Sequence, residues 1–185
     1  ITDIDKKDIE YAKKLNCKIK LVGQSEYDGY KVRGIVRPVL VEFDNILANI
    51  ENENNVVVLN GDSVGEVSFV GKGAGKLATG SAVYGDLIDI LEGRFSSINS
   101  FTKDKAEVIK VLDNQCSALL RFKCHNKDSI ISVIKSKMNS FDVLNENEEL
   151  AVLVNANSEY EINSTLSEIK SKGYCNKISK LIKIN

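Results

Sequence analysis

The chain has 185 residues, enough to bury a hydrophobic core in one domain or two. Its formal net charge of −1 argues against a nucleic acid or another polyanion as a partner, because such a partner requires a basic face. No apolar run approaches the roughly 18 to 20 residues of a membrane span, and no signal peptide opens the chain, so we expect a cytoplasmic location.

The four cysteines and the single histidine, His125, are scattered, and no C-x-x-C pair occurs. Metal sites usually need Cys and His at short spacing, so no metal site is expected. The thiols are interpreted as small apolar core residues in a reducing compartment. Because the chain begins with Ile1 rather than methionine, we expect it to be a piece of a longer protein.

The chain opens with a predicted helix and continues with strands. Asp5 is a suitable N-cap for a helix over residues 6–15, whose apolar residues lie near one stripe. "RPVLVEF" is apolar and β-branched and predicts a strand, with Pro38 at its start or on an edge of the sheet. Arg33 and Arg37 are interpreted as surface or interface charges rather than substrate clamps.

A hairpin and a second helix follow. Two strands are predicted on either side of a turn at Gly61-Asp62, and helical periodicity begins at Thr79 and stops at Gly93. The polar, serine-rich segment after this helix marks a domain boundary. The chain is therefore divided into a first domain, a linker and a second domain, at residues 1–95, 96–105 and 106–185.

The second domain shows the order strand, helix, strand, strand, helix, strand. Alternation in "SALLRFKCH" puts Leu120 on one face of the first strand and Arg121 on the other. The second helix opens with a capping box from Ser158 to Glu161. The order βαββαβ predicts a ferredoxin-like fold, and the chain as a whole is predicted to be α+β.

Three glycines at alternate positions, Gly71, Gly73 and Gly75, lead into the helix of the first domain. A phosphate-binding P-loop would need Ser or Thr where this chain has Leu77, and the dinucleotide fingerprint would need glycine in place of Lys76. Two interpretations remain. The glycines provide positive φ or close backbone contact, or their N–H groups approach a ligand held mainly by another part of the protein.

The motifs G-D-x-V-G-E at 61–66 and G-x-G-A-G-x-x-x-T at 71–79 follow "RPVLVEF" and "LANI" in this order. In this arrangement they resemble the C-terminal half of the catalytic region of homoserine dehydrogenase. The resemblance implies part of a catalytic domain, with a mixed sheet and flanking helices. The parent enzyme would reduce L-aspartate 4-semialdehyde to L-homoserine in threonine, methionine and isoleucine biosynthesis.

That family holds NADP or NAD mainly in an N-terminal Rossmann domain, and its catalytic lysine and acid residues precede the helix that opens this chain. The resemblance therefore implies that no catalytic residue lies in this chain, which alone should be inactive and bind the cofactor poorly. It implies that Gly73, Gly75 and Thr79 line the cofactor side of the cleft. It also implies a homodimer formed through the sheet of residues 1–75, with a tetramer left open.

Residues 106–185 are similar to an ACT module, a βαββαβ unit often appended to enzymes of amino-acid biosynthesis. Such modules bind an amino acid at the turn after their first strand, which here reads "CHNKDSIISVI". The similarity implies an effector, threonine being the first candidate, at Asn126 and Asp128, although Ser129 replaces a helpful glycine. The alternative is a non-enzymatic sensor, an ACT module fused to a β-rich oligomerisation platform.

Overall fold

The computed structural model describes residues 4–27, 29–94, 105–109, 115–145 and 149–184. The elements in chain order are α1 Lys6–Lys14, β1 Cys17–Tyr27, β2 Lys31–Glu42, a 3-10 helix Ile46–Asn49, β3 Asn54–Gly61, β4 Gly65–Lys72, α2 Lys76–Leu91, β5 Glu107–Val108, β6 Cys116–Cys124, α3 Lys127–Lys137, β7 Ser140–Asn145, β8 Leu150–Ala156, α4 Glu159–Ser171 and β9 Cys175–Ile184. The predicted α+β class is confirmed.

The chain forms two compact units whose limits differ from the predicted domains. Unit 1 comprises Ile1–Ala48 together with Ala106–Asn185, and unit 2 comprises Asn49–Lys105. The start of the first predicted domain therefore shares a unit with the whole of the second. The reason is strand pairing between β2 and β9, which joins the two segments in one sheet.

Unit 1 is built on a seven-stranded sheet of order β1-β2-β9-β6-β8-β7, with β5 paired to β2. From β6 to β9 the elements follow the predicted βαββαβ order, with β6 between β9 and β8. The β1–β2 hairpin extends this arrangement because β2 runs parallel to β9, with Val39 opposite Ile182. The sheet is therefore mixed.

Pro38 lies in the interior of β2 rather than at its start, because β2 begins seven residues earlier at Lys31. It stands opposite Leu21 of β1. On the other side of β2, the register with β9 begins at Val39. Because proline has no N–H to donate to a neighbouring strand, a position next to the end of the β2–β9 pairing suits Pro38.

One face of the unit 1 sheet is covered by α3 and α4. Their buried isoleucines pack on alternate residues of β6, in a core that includes Ala118, Leu120, Phe122, Ile130, Ile134, Ile162 and Ile169. Burial of each large apolar side chain contributes about 1.5–3 kcal/mol. Ser158 caps α4 as predicted, by accepting from the N–H of Glu161 at 3.3 Å, but the Glu161 carboxylate accepts from the N–H of Asn157 at 2.9 Å, so only one half of the predicted capping box forms.

The opposite face of the sheet is covered by α1. This helix begins as predicted, since Asp5 and Asp8 form a capping box at its N-terminus. Tyr11 and Ala12 pack against Leu119 of β6. A strand of the sheet that alternates between apolar and polar residues is therefore buried on both faces.

Arg121 is the polar residue on the α1 face of β6, and it is 3% exposed. Its Nε and Nη2 donate to the two carboxylate oxygens of Asp8 at 2.9 and 2.8 Å. Its Nη1 donates to Glu149 at 3.1 Å, and Nη2 lies 2.7 Å from the more exposed Asp5 carboxylate. Burial lowers the pKa of Arg121, but hydrogen bonds to these three carboxylates raise it overall, so the guanidinium stays charged.

Neighbouring groups satisfy the remaining carboxylate oxygens of this cluster. Tyr11 donates its hydroxyl proton to Glu149 at 3.1 Å, and Ser179 of β9 donates to Asp8 at 3.0 Å. Lys7 adds a second positive charge 3.6 Å from Glu149. We call Asp5, Asp8, Arg121 and Glu149 the Arg121 cluster. It connects α1 with β6 and with the residue that precedes β8.

Unit 2 contains the β3–β4 hairpin and α2. The hairpin is antiparallel, from Asn54 opposite Lys72 to Gly61 opposite Gly65, as the turn signal predicts. No residue of α2 is buried. The helices in the described part of the chain are too short or too polar to cross a membrane.

We expect Arg121→Met to lower the free energy of unfolding by about 3–5 kcal/mol, because it leaves two buried carboxylates without their cation. Urea unfolding followed by circular dichroism measures this loss. The control is Lys6→Met on the same helix, where the ion pair with Glu10 is long, at 3.9 Å, and exposed. An equal, small effect of both substitutions would contradict the account of the cluster.

Candidate functional site

The glycine loop of unit 2 ends at the N-terminus of α2. Gly75 occupies the N-cap position with φ 116° and ψ 146°, a conformation that residues with a side chain rarely adopt. Its carbonyl accepts the first helical hydrogen bond, from the N–H of Thr79 at 3.0 Å. Within the described part of the chain no side chain caps this helix, so its first N–H groups have no side-chain acceptor.

Gly73 has a different reason to lack a side chain. Its N–H donates to the carbonyl of Glu53 at 3.2 Å, which continues the pairing of the hairpin. A Cβ at Gly73 would overlap the side-chain amide of Asn55, whereas one at Gly75 would meet nothing within 4 Å. The two structural reasons considered for the motif, close contact and positive φ, therefore apply to different glycines.

The three predicted cofactor residues lie together, since Gly73, Gly75 and Thr79 all belong to the loop and first turn of α2. All three are exposed. The arrangement places uncapped backbone N–H groups and the positive end of the helix dipole beside glycines that permit close approach. This chemistry suits an anionic group such as a phosphate.

The two predicted effector residues, Asn126 and Asp128, lie at the N-terminus of α3 in unit 1. Asn126 is the N-cap and accepts from the N–H of Ser129 at 3.1 Å. Asp128 is exposed in the first turn. Beside them, His125 Nε2 lies 2.8 Å from the side-chain nitrogen of Asn176. Asn126 thus has a structural role as the N-cap of α3.

Of the two places predicted for Arg33 and Arg37, surface or interface, the first is wrong because both side chains are largely buried within unit 1. Arg33 is 2% exposed, and its Nη1 lies 3.6 Å from Glu26. Arg37 donates through Nη1 to both oxygens of Glu159 at 2.7 Å. The sequence could not show this burial, because the partner of Arg37 lies 122 residues further along the chain.

Glu159 is the shared partner of two cations at the N-terminus of α4. Lys180 of β9 donates to it at 2.9 Å, in addition to Arg37. Burial raises the pKa of Glu159, but the hydrogen bonds from Arg37 and Lys180 lower it overall, so the carboxylate is ionised at neutral pH. No sequence motif signals this cluster, because its members come from β2, α4 and β9.

Comparison with known proteins finds homoserine dehydrogenases both by sequence and by fold. Residues 1–88 match the family model for homoserine dehydrogenase. The chain is 42% identical over 90 residues to homoserine dehydrogenase of Neisseria gonorrhoeae, covering 49% of this chain and 21% of the relative. It is 31% identical over 137 residues to the Bacillus subtilis enzyme, covering 73% of this chain and 32% of the relative.

Two solved structures extend the likeness over the second part of the chain. A homoserine dehydrogenase from Thiobacillus denitrificans superposes with a TM-score of 0.79 at 20% identity, covering all of this chain and 46% of that one. The S. aureus homoserine dehydrogenase at pH 6.0 has a TM-score of 0.69 at 30% identity, covering 96% of this chain and 44% of that one. Because the identity to the Thiobacillus denitrificans structure is only 20%, that likeness concerns the fold alone.

By both sequence and fold, the chain is similar to homoserine dehydrogenases. Its residues 1–88 match the homoserine dehydrogenase family. The chain spans between 21% and 34% of the length of its curated relatives and less than half of the solved structures that it matches. What it contains is thus a part of such an enzyme.

Gly75→Ala and Gly80→Ala should have opposite effects on α2. Alanine at Gly75 must adopt a positive φ, which costs about 1–3 kcal/mol. Alanine at Gly80, inside the helix with nothing within 4 Å of the added Cβ, should stabilise it by about 0.5–1 kcal/mol. Amide hydrogen exchange of α2 measures both, with faster exchange expected for the first variant and slower for the second. Slower exchange in both would show that the Gly75 conformation is not required.

Proposed function

We propose that the chain is part of a homoserine dehydrogenase that reduces L-aspartate 4-semialdehyde to L-homoserine with NADPH or NADH. The observation that carries this proposal is the family match over residues 1–88, which includes the glycine loop and most of α2. The bound dinucleotide would supply a hydride to the substrate carbonyl. The general acid, a lysine in this proposal, lies outside the chain.

The role proposed for this chain in the reaction is to complete the dinucleotide site. Gly73 and Gly75 have no side chains to obstruct the approach of a ligand to α2. The N–H groups of the first turn that precede Thr79 favour negative charge, whereas the N–H of Thr79 itself is bonded to the Gly75 carbonyl. The chain would therefore orient the cofactor from one side, while the remaining contacts come from a dinucleotide-binding domain elsewhere in the protein.

The test is an assay of NAD(P)-dependent oxidation of L-homoserine, made with the 185-residue chain and with the product of the complete gene. We expect activity from the complete product and none from the chain alone. In the active protein, Gly75→Ala should raise the KM for the dinucleotide more than that for L-homoserine, and Gly80→Ala should raise neither. Lack of activity in a folded complete product would contradict the proposed reaction.

Unit 2 also has features of a subunit interface. Val57, Leu59 and Phe69 are 54–60% exposed, and the register of the hairpin places them on one face. A two-stranded hairpin is marginally stable by itself, and an exposed apolar face of this kind normally marks an interaction site. We propose that this face belongs to the interface of a homodimer.

Sedimentation velocity tests the homodimer. Phe69→Glu should shift the chain from dimer to monomer, because it would bury a charge in the apolar interface. Ser63→Glu, in the exposed turn of the same hairpin, is the control and should leave the dimer intact. A monomeric unmodified chain at all concentrations, or a dimer that tolerates Phe69→Glu, would refute this interface.

We further propose that the βαββαβ part of unit 1 is an ACT-like regulatory domain that binds an amino acid, with L-threonine the first candidate, at Asn126 and Asp128. The exposed N-terminus of α3 offers N–H groups for a carboxylate, and Asp128 offers a partner for an ammonium group. A sensor without enzymatic activity is the alternative, and the assay above distinguishes the two.

Calorimetric titration with L-threonine tests the effector site. Saturable binding that is lost in Asp128→Ala and retained in Asp142→Ala, an exposed residue of β7, would support it. A ligand that binds the folded state must also raise the melting temperature, so a thermal scan checks the titration. Binding that survives Asp128→Ala would place threonine elsewhere.

A further inference from the structure

Unit 1 contains a cavity of about 670 Å³ at the end of the sheet where β6 begins and β9 ends. Its lining includes Gln24 and Arg37 of the β1–β2 hairpin, Cys116 of β6, Glu159 of α4 and Ile182 of β9. The volume is that of a site for a small molecule. None of the predicted site residues lines it.

Two polar atoms at this cavity are buried and have no hydrogen-bond partner among the described residues. They are Oε1 of Gln24, an acceptor, and Nε of Arg37, a donor. The register pairs Arg37 with Val22, two residues before Gln24, so the two side chains are diagonal neighbours on one face of the hairpin. Buried polar groups are normally paired, which indicates that a ligand with both an acceptor and a donor belongs between them.

The charge balance favours an anionic acceptor. Arg37 and Lys180 bring two positive charges, and Glu159, which both contact, brings one negative charge. The bonds to Glu159 use Nη1 of Arg37, and the buried Nε on another edge of the guanidinium has no acceptor among the described residues. A carboxylate at that edge would neutralise the remaining charge and form a charge-assisted hydrogen bond.

We propose that this cavity binds a small carboxylic acid that carries a hydroxyl or ammonium donor, such as an α-hydroxy or α-amino acid. Its carboxylate accepts from Arg37 Nε, and its donor group bonds to Gln24 Oε1. The site is distinct from the proposed effector residues, because β6 starts at the cavity and ends before Asn126. Nine residues of strand separate the two by roughly 30 Å.

Cys116 provides a direct readout of occupancy. It is a free thiol that lines the cavity, and burial raises its pKa, so alkylation should be slow and sensitive to an occupant. The experiment measures iodoacetamide labelling of the 185-residue chain by peptide mass spectrometry. Four probes are compared: L-lactate and L-alanine carry both groups, propionate lacks the donor, and lactamide lacks the carboxylate. Labelling of Cys124, which lies at the other end of β6, is the internal reference.

We expect L-lactate and L-alanine to protect Cys116 in a saturable manner and to leave Cys124 unprotected. Loss of a hydrogen bond to a charged group lowers affinity by about tenfold or more, so propionate and lactamide should need at least about ten times the concentration. Equal protection by all four probes, or none by lactate and alanine, would overturn the proposal.

Variants assign the protection to the two named atoms. Gln24→Met removes the acceptor without a change of charge, and Arg37→Lys keeps the cation for Glu159 but removes the Nε donor. Each should raise the half-protecting concentration of L-lactate about tenfold. Asp128→Ala, at the proposed effector site, should leave it unchanged. Protection that is insensitive to Gln24→Met, or lost in Asp128→Ala, would refute this site while leaving the proposed reaction untouched.

Discussion

The buried guanidinium of Arg121 fixes how the two parts of unit 1 come together. It lies between α1 at the start of the chain and β6, a strand more than 100 residues later, and it bonds to both Asp8 and Glu149. Such a cluster is weak as a source of net stability but strict about geometry, because any arrangement that separates the charges leaves one of them buried alone. We infer that it specifies the position of α1 on the sheet, while the isoleucine core on the other face provides most of the stability.

Together with the pairing of β2 and β9, this constraint explains why the segment that matches the family model does not form a unit of its own. α1, β1 and β2 belong to that segment, yet β1 and β2 extend the sheet of the βαββαβ part and α1 covers one of its faces. Unit 2 has the opposite character, with a helix that buries no residue and an apolar hairpin face that is exposed. Surfaces of this kind are consistent with the proposed roles in the dinucleotide site and in dimerisation.

Local signals in the sequence predicted the features that depend on neighbouring residues. The cap at Asp5, the cap at Ser158 and the turn at Gly61-Asp62 are examples, since each needs only a few adjacent residues. The pairing of β2 with β9 and the Arg37–Glu159 ion pair could not be predicted in this way. In both cases the interacting residues are distant in sequence. The alternation of β6 likewise does not reveal that a helix covers its polar face. The candidate residues of the glycine loop and of α3 came from family resemblance, and the cavity beside Arg37 had no such guide.

We expect α1, the β1–β2 hairpin and the βαββαβ part to unfold as one unit, because the β2–β9 pairing and the Arg121 cluster join them. Native-state hydrogen exchange tests this expectation most directly, through the amides of Val39 and Val41 in β2 and of Leu119 and Leu120 in β6. We predict the same free energy of opening for both strands, equal to that of global unfolding. A lower value for β2, with β6 still protected, would show that the hairpin opens independently and would contradict this expectation.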